Sequence, residues 1–184
     1  MNTVKIDLCG LPDELRSGLE KLCMHEGFRS GTDGIRLSAR RGGAFSAEFD
    51  GQTLRVEYCE PVQFFRALSY LKRADHRRFA LHRQPVFEHN GVMLDCSRNA
   101  VPRVEAVKMV LRKMALMGLN TLMLYTEDTY EVPEQPYFGY LRGRYSVEAL
   151  RGLDSYAAAL GIELVPCIQT LAHLERALHW PQVD

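Results

Sequence analysis

Three short apolar runs, each followed by a cluster of polar residues, constrain this chain more than any other feature. Gly91–Cys96, Asn120–Tyr125 and Ile162–Ile168 are strand-sized and nearly unbroken by polar residues. Strands of that kind are buried on both faces, as in a parallel sheet wrapped by helices. Helical patterns separate them. Pro102 opens one that carries Val104, Val107, Met109, Val110, Leu111, Met114 and Met117 and stops at Gly118. A second spans Ser146 to Leu160 and stops at Gly161, after a long loop, Thr126–Tyr145. Ala172–Trp180 reads as the start of a third. The order β-α-β-α-β-α predicts parallel strands, with the leucines and methionines of the helices in the core.

Polar residues gather after each strand: Asp95, Ser97, Arg98 and Asn99 after the first, Thr126, Glu127 and Asp128 after the second, Gln169, Thr170 and His173 after the third. In parallel α/β folds, function sits at the carboxyl ends of the strands. Three successive strands delivering such groups predict a site on that rim. Asp95 reads as structural, accepting hydrogen bonds below the rim. Tyr125, Tyr130, Tyr137 and Tyr145 offer either a sugar-stacking platform or loop packing, and packing is the commoner fate of such rings. His76, His82, His89 and His179 carry no motif.

The first half reads differently. Thr3–Leu8 alternates like a strand, and Leu11–Phe28 has helical spacing that ends at Gly27. Ile35–Arg41, Ala44–Asp50 and Gln52–Tyr58 read as strands separated by Gly42-Gly43 and by Asp50-Gly51, the latter a strong signal for a tight hairpin. Pro61 opens a helix through Leu71 with Phe64, Phe65, Leu68 and Leu71 on one stripe. The pattern β-α-β-β-β-α predicts a small α+β unit over residues 1–85 with an antiparallel sheet backed by helices. Asp75–Pro85, basic and ending in proline, reads as a linker to a second unit over residues 86–184.

Composition narrows the function. Among 184 residues, 23 Lys and Arg balance 23 Asp and Glu, so no electrostatic case exists for nucleic acid or an anionic membrane. No apolar run approaches the roughly 20 residues that span a bilayer. The N-terminus shows no secretory pattern, which predicts a cytoplasmic protein. The five cysteines, Cys9, Cys23, Cys59, Cys96 and Cys167, have no paired spacing and read as free thiols rather than zinc ligands. No glycine-rich phosphate loop follows a strand. No cofactor is expected.

Gly91–Pro102 (GVMLDCSRNAVP), Asn120–Val132 (NTLMLYTEDTYEV), Pro136–Ser146 (PYFGYLRGRYS) and Gly161–Leu174 (GIELVPCIQTLAHL) resemble the opening of the catalytic barrel of glycoside hydrolase family 20, the β-N-acetylhexosaminidases. The match runs from about Phe87 to Trp180, and residues 1–85 more weakly resemble the small domain that precedes the barrel. The resemblance implies the first three βα units of a TIM (β/α)8 barrel and a bacterial-like enzyme. It implies a glycan substrate bearing a terminal N-acetylglucosamine or N-acetylgalactosamine. It also implies substrate-assisted retaining catalysis, an exception to the two-carboxylate scheme: the acetamido oxygen attacks the anomeric carbon, an aspartate stabilises it, and the adjacent glutamate serves as acid and then base.

Residue by residue, Arg98 matches the arginine that binds hydroxyls at the non-reducing end, a task suited to a planar guanidinium fork. His173 matches a histidine linked to an acid after the second strand; Asp128 is the first candidate for that partner and Glu127 the second. The chain departs from the family in lacking the Asp-Glu pair after a fourth strand. Its acidic neighbours are Asp13-Glu14 and Glu127-Asp128, and a whole barrel needs about 250 residues. The resemblance therefore places the acid/base pair beyond Asp184, the last residue. The expectation is the N-terminal part of an enzyme, inactive alone, with open barrel edges that favour self-association. The edges would expose Met93, Met123 and Leu164 or their alternating neighbours. Two other readings stay open: a stand-alone carbohydrate-binding or interaction module, and a metal site made by Glu127, Asp128 and His173.

Overall fold

In a computed structural model, residues 3–75, 77–98 and 100–179 are described. His76, Asn99, Trp180 and Asp184 lie outside them. The strands of the first half are β1 (Val4–Asp7), β2 (Phe28–Ser30), β3 (Ile35–Arg41), β4 (Phe45–Phe49), β5 (Thr53–Tyr58) and β6 (Phe79–Arg83). They form one six-stranded sheet in the order β2-β1-β3-β5-β4-β6. Helices α1 (Asp13–His25) and α2 (Pro61–Ala74) cover one face. In α1 the buried residues Leu15, Gly18, Leu19 and Leu22 form one stripe, and Asp13 and Glu14 complement the positive end of the helix dipole. Proline opens α2 and a reciprocal capping box between Glu60 and Gln63 closes its N-terminus.

Three expectations need correction. The sheet is mixed, not antiparallel: β2, β1, β3 and β5 run parallel, and β4 pairs antiparallel with both β5 and β6. The Asp50-Gly51 hairpin forms as read, with Asp50 Oδ1 accepting from Gln52 and Thr53 N–H at 2.9 and 2.8 Å. Gly42-Gly43 separates β3 from β4 as read, and β5 inserts between those two strands in the sheet. Phe28 belongs to a short strand rather than to α1, since Gly27 adopts φ 71° and ends the helix. The segment read as a linker contains β6. Its Phe79 packs on Phe49 with ring centroids 6.0 Å apart, while basic residues suit an edge strand in contact with water.

The second half is a three-stranded parallel sheet, β7 (Gly91–Asp95), β8 (Thr121–Tyr125) and β9 (Glu163–Cys167), with β8 central. Helices α3 (Val104–Met117) and α4 (Val147–Ala158) connect the strands, and a short α5 (Glu175–Leu178) follows. Gly118 takes φ 77° and ends α3, while the Ser146 hydroxyl caps α4 by accepting from Ala149 N–H at 3.1 Å. Leu122 and Leu124 are buried against the helices, and Leu94 and Leu164 pack there too. The other face carries Met93, Met123 and Val165 in register, so Val165 and not Leu164 is the third member of that row.

The helices of the two halves face each other, and one continuous core runs through both. Gly18 lies so close to the Ala159 backbone and the Phe65 ring that no Cβ fits there. Across this seam the buried Glu26 carboxylate accepts from Arg112 Nε at 3.2 Å and from Lys113 Nζ. Arg112 also donates to the Tyr156 hydroxyl at 3.0 Å. The seam thus combines apolar burial with an ion cluster.

Candidate active site

The carboxyl ends of β7, β8 and β9 converge on one rim, and each end is tied to the next by backbone bonds. Cys96 N–H donates to Tyr125 O at 2.9 Å, and Thr126 N–H donates to Cys167 O at 3.3 Å. After β7, Asp95 Oδ1 accepts both the Ser97 amide, at 2.8 Å, and the Ser97 hydroxyl, at 2.6 Å. These bonds hold the Asp95 carboxyl below the usual carboxylate range. Asp95 is therefore a turn-forming residue. Burial pushes the Cys96 thiol up, as fits an inert thiol beneath the rim.

Glu127 is the hub. It is nearly buried and adopts φ 51°, a left-handed backbone that its surroundings must hold. Gln169, just past the end of β9, supplies part of that support, its side-chain oxygen accepting from Glu127 N–H at 2.8 Å. Glu127 Oε1 accepts from an Arg98 Nη at 2.6 Å and lies 3.5 Å from His173 Nδ1. The hydrogen bond and charge of Glu127 raise the Arg98 guanidinium further above its already high range. Arg98 and His173 remain open to water, with 59% and 54% of their side chains exposed, against 9% for Glu127. A buried acid thus orders two exposed hydrogen-bonding groups.

Asp128 does something else. It pairs with Arg142 from the β8–α4 loop at 3.3 Å, both side chains being almost fully buried. Of the two adjacent acids, Glu127 is the one brought to His173, which corrects the order in which the sequence ranks them. Glu127, Asp128 and His173 do not converge, and among the described residues no cluster of three metal-ligating side chains forms. Asp184, beyond which the family resemblance sets the acid/base pair, lies outside the described residues. Among the tyrosines, Tyr125 is the rim residue, 6.5 Å from the His173 ring. Tyr145 is buried and donates to Pro102 O at 2.6 Å, Tyr130 packs on Phe138, and Tyr137 packs on Tyr140. Arg142 is the rim residue that sequence reasoning misses. No spacing signal points to it, because a long loop separates it from Asp128.

The family model of the glycosyl hydrolase family 20 catalytic domain matches residues 87–183. The chain belongs to glycosyl hydrolase family 20. A β-hexosaminidase of Emericella nidulans is 35% identical over 108 residues, 54% of this chain and 17% of that one. A β-hexosaminidase of Vibrio furnissii is 25% identical over 169 residues, 74% of this chain and 28% of that one. This chain therefore spans less than a third of the length of either of these β-hexosaminidases. The crystal structure of a family 20 exo-β-N-acetylglucosaminidase from Vibrio harveyi, in complex with N-acetylglucosamine, superimposes with a TM-score of 0.72 at 20% identity. That match covers 96% of this chain and 34% of that one. It establishes a mixed α/β fold shared with family 20 enzymes. No helix among the described residues is long and apolar enough to cross a membrane.

Proposed function

We propose that this chain forms part of a β-N-acetylhexosaminidase and supplies the wall of its active site that grips the terminal sugar. The observation that carries this reading is the shared acceptor Glu127 Oε1, which meets Arg98 and His173 on the carboxyl rim of three consecutive parallel strands. Arg98, held at one Nη by Glu127, has guanidinium surface left for neighbouring hydroxyls of an N-acetylhexosamine. Glu127 and His173 act together as the acid-linked histidine of the family. Asp128 serves Arg142 instead.

On this reading residues 91–178 are three βα units of an eightfold barrel, and residues 1–85 are the preceding domain. The Asp-Glu pair for substrate-assisted catalysis comes from beyond Asp184, so this chain alone does not hydrolyse aryl N-acetyl-β-hexosaminides. Met93, Met123 and Val165 would line the barrel interior, and the β7 and β9 edges that pair with no further strand among the described residues favour pairing with another chain. The test is steady-state kinetics of Arg98→Ala in an enzyme that joins this chain to a family 20 barrel remainder. The loss expected is about 1.5–3 kcal/mol of transition-state binding, seen chiefly in KM. Wild-type kinetics in that variant would remove Arg98 from substrate capture.

A further inference from the structure

We propose that Arg142 is the positioning residue for Arg98, acting through the Ser97 carbonyl with Asp128 as its counter-ion. The inference rests on the sugar-holding role given to Arg98 above. It starts from a contrast within the β8–α4 loop, where two arginines stand two residues apart. Arg144 stays inside its own loop, donating to Pro136 O at 3.0 Å and to Phe138 O, with Glu131 3.9 Å away. The loop base is closed separately, by Glu131 N–H to Tyr145 O at 2.9 Å and Tyr145 N–H to Thr129 O at 3.0 Å. Loop closure thus has its own set of bonds. Arg142 instead leaves the loop and crosses to the ends of two strands, pairing with Asp128 after β8 and donating to Ser97 O after β7.

The Ser97 carbonyl is a significant point of attachment. It belongs to the same rigid peptide plane as the Arg98 nitrogen and Cα, so fixing that oxygen fixes the point from which the Arg98 side chain departs. The other side of Ser97 is fixed as well: Asp95 Oδ1 holds its amide and hydroxyl, and the Ser97 hydroxyl oxygen accepts from an Arg98 Nη. Glu127 then fixes the far end of Arg98. A long side chain held at root and tip has little freedom left to lose when a ligand arrives, which is how preorganisation raises affinity. One Arg142 nitrogen, Nη2, makes both contacts, donating to Ser97 O and lying 3.3 Å from Asp128 Oδ1, so the reach of that one atom joins the two strand ends. A buried ion pair is also a poor device for closing a loop, since apolar residues of similar volume do that as well or better.

The experiment compares the 184-residue protein with Arg142→Lys and Asp128→Asn, following the Arg98 Nε–Hε NMR signal, assigned by its loss in Arg98→Lys, and titrating N-acetylglucosamine. Wild type is expected to show an ordered Arg98 signal that moves with the sugar. Arg142→Lys keeps the charge but ends in a shorter side chain whose nitrogen falls short of Nη2, so the Arg98 signal should broaden or vanish and affinity fall about fivefold, with Asp128→Asn acting in the same direction. A role in loop closure alone would leave the Arg98 signal where it is. Should Arg142→Lys fail to fold, the isosteric Asp128→Asn carries both readings. Unchanged Arg98 signals and unchanged affinity in a folded variant overturn the proposal. If the Arg98 signal responds to Arg142→Lys while wild type ignores N-acetylglucosamine, positioning stands and the sugar-holding reading falls.

Discussion

In the six-stranded sheet, Ile6, Leu54 and Tyr58 are sealed beneath α1 and α2, whereas in the three-stranded sheet Met93 is 57% exposed. Both sheets lay one face on the shared helical layer. They differ in what the chain offers the other elements: the first sheet ends in a short strand on one side and a basic strand on the other, while β7 and β9 each pair only with β8 among the described residues. The difference teaches where stability and chemistry reside. The first half and the seam hold most of the fully buried large side chains. The second half places its polar residues on a rim of buried acids and exposed partners, a distribution suited to binding.

The sharpest way to break this contrast is to empty each half in turn. Phe65, fully buried on α2, should lose about 3–5 kcal/mol when replaced by alanine, read by urea denaturation. If it costs under about 1 kcal/mol, on the order of a surface change, the first half is not the stable part. Next comes the seam. Arg112→Met leaves the Glu26 carboxylate buried with Lys113 alone, and should cost about 3 kcal/mol, at the low end for a broken buried pair. A loss of that size in a single transition shows that the two halves unfold together.

Alkaline pH provides a smaller probe of the first half. Burial, and then the Glu14 carboxylate that accepts the Tyr58 hydroxyl at 2.6 Å, push the Tyr58 phenol up to about 12. A raised folded-state value favours the protonated form in the fold. That contribution is intact below about 10, the ordinary tyrosine value, and is lost as pH rises towards about 12. Tyr58→Phe should flatten stability over that window, and an unaltered alkaline slope would contradict the assignment. Smallest of all, Met93→Ala on the open face should change stability by about 0.5 kcal/mol or less. Self-association at the open sheet should be weakened by Met93→Lys, measured by light scattering against the 21.0 kDa monomer.

Much of the second half was legible because its signals are local: apolar runs of strand length, a helix that stops where Gly118 takes φ 77°, a serine cap. The first sheet was less so. Neighbours in a mixed sheet are set by which strand inserts where, and nothing around Gly42-Gly43 announces that β5 lies between β3 and β4. Three residues, Phe28–Ser30, carry too little alternation to declare a strand, and β6 hides its apolar side among arginines and histidine. At the rim, Arg98, Glu127, Asp128 and His173 were all named, yet the roles of the two acids depend on a left-handed turn at Glu127 that aims consecutive side chains at different partners. Arg142 reaches back along a long loop to Asp128, a separation over which spacing says nothing.

The central claim is that the rim around Glu127 holds an N-acetylhexosamine. The direct measurement is an NMR titration of the 15N-labelled protein with N-acetylglucosamine, with glucose as the control. The expected result is saturable shifts at Ser97, Arg98, Glu127 and His173 that are absent with glucose and absent from β1–β6. Shifts confined to the first sheet, equal responses to both sugars, or none at the rim would contradict it.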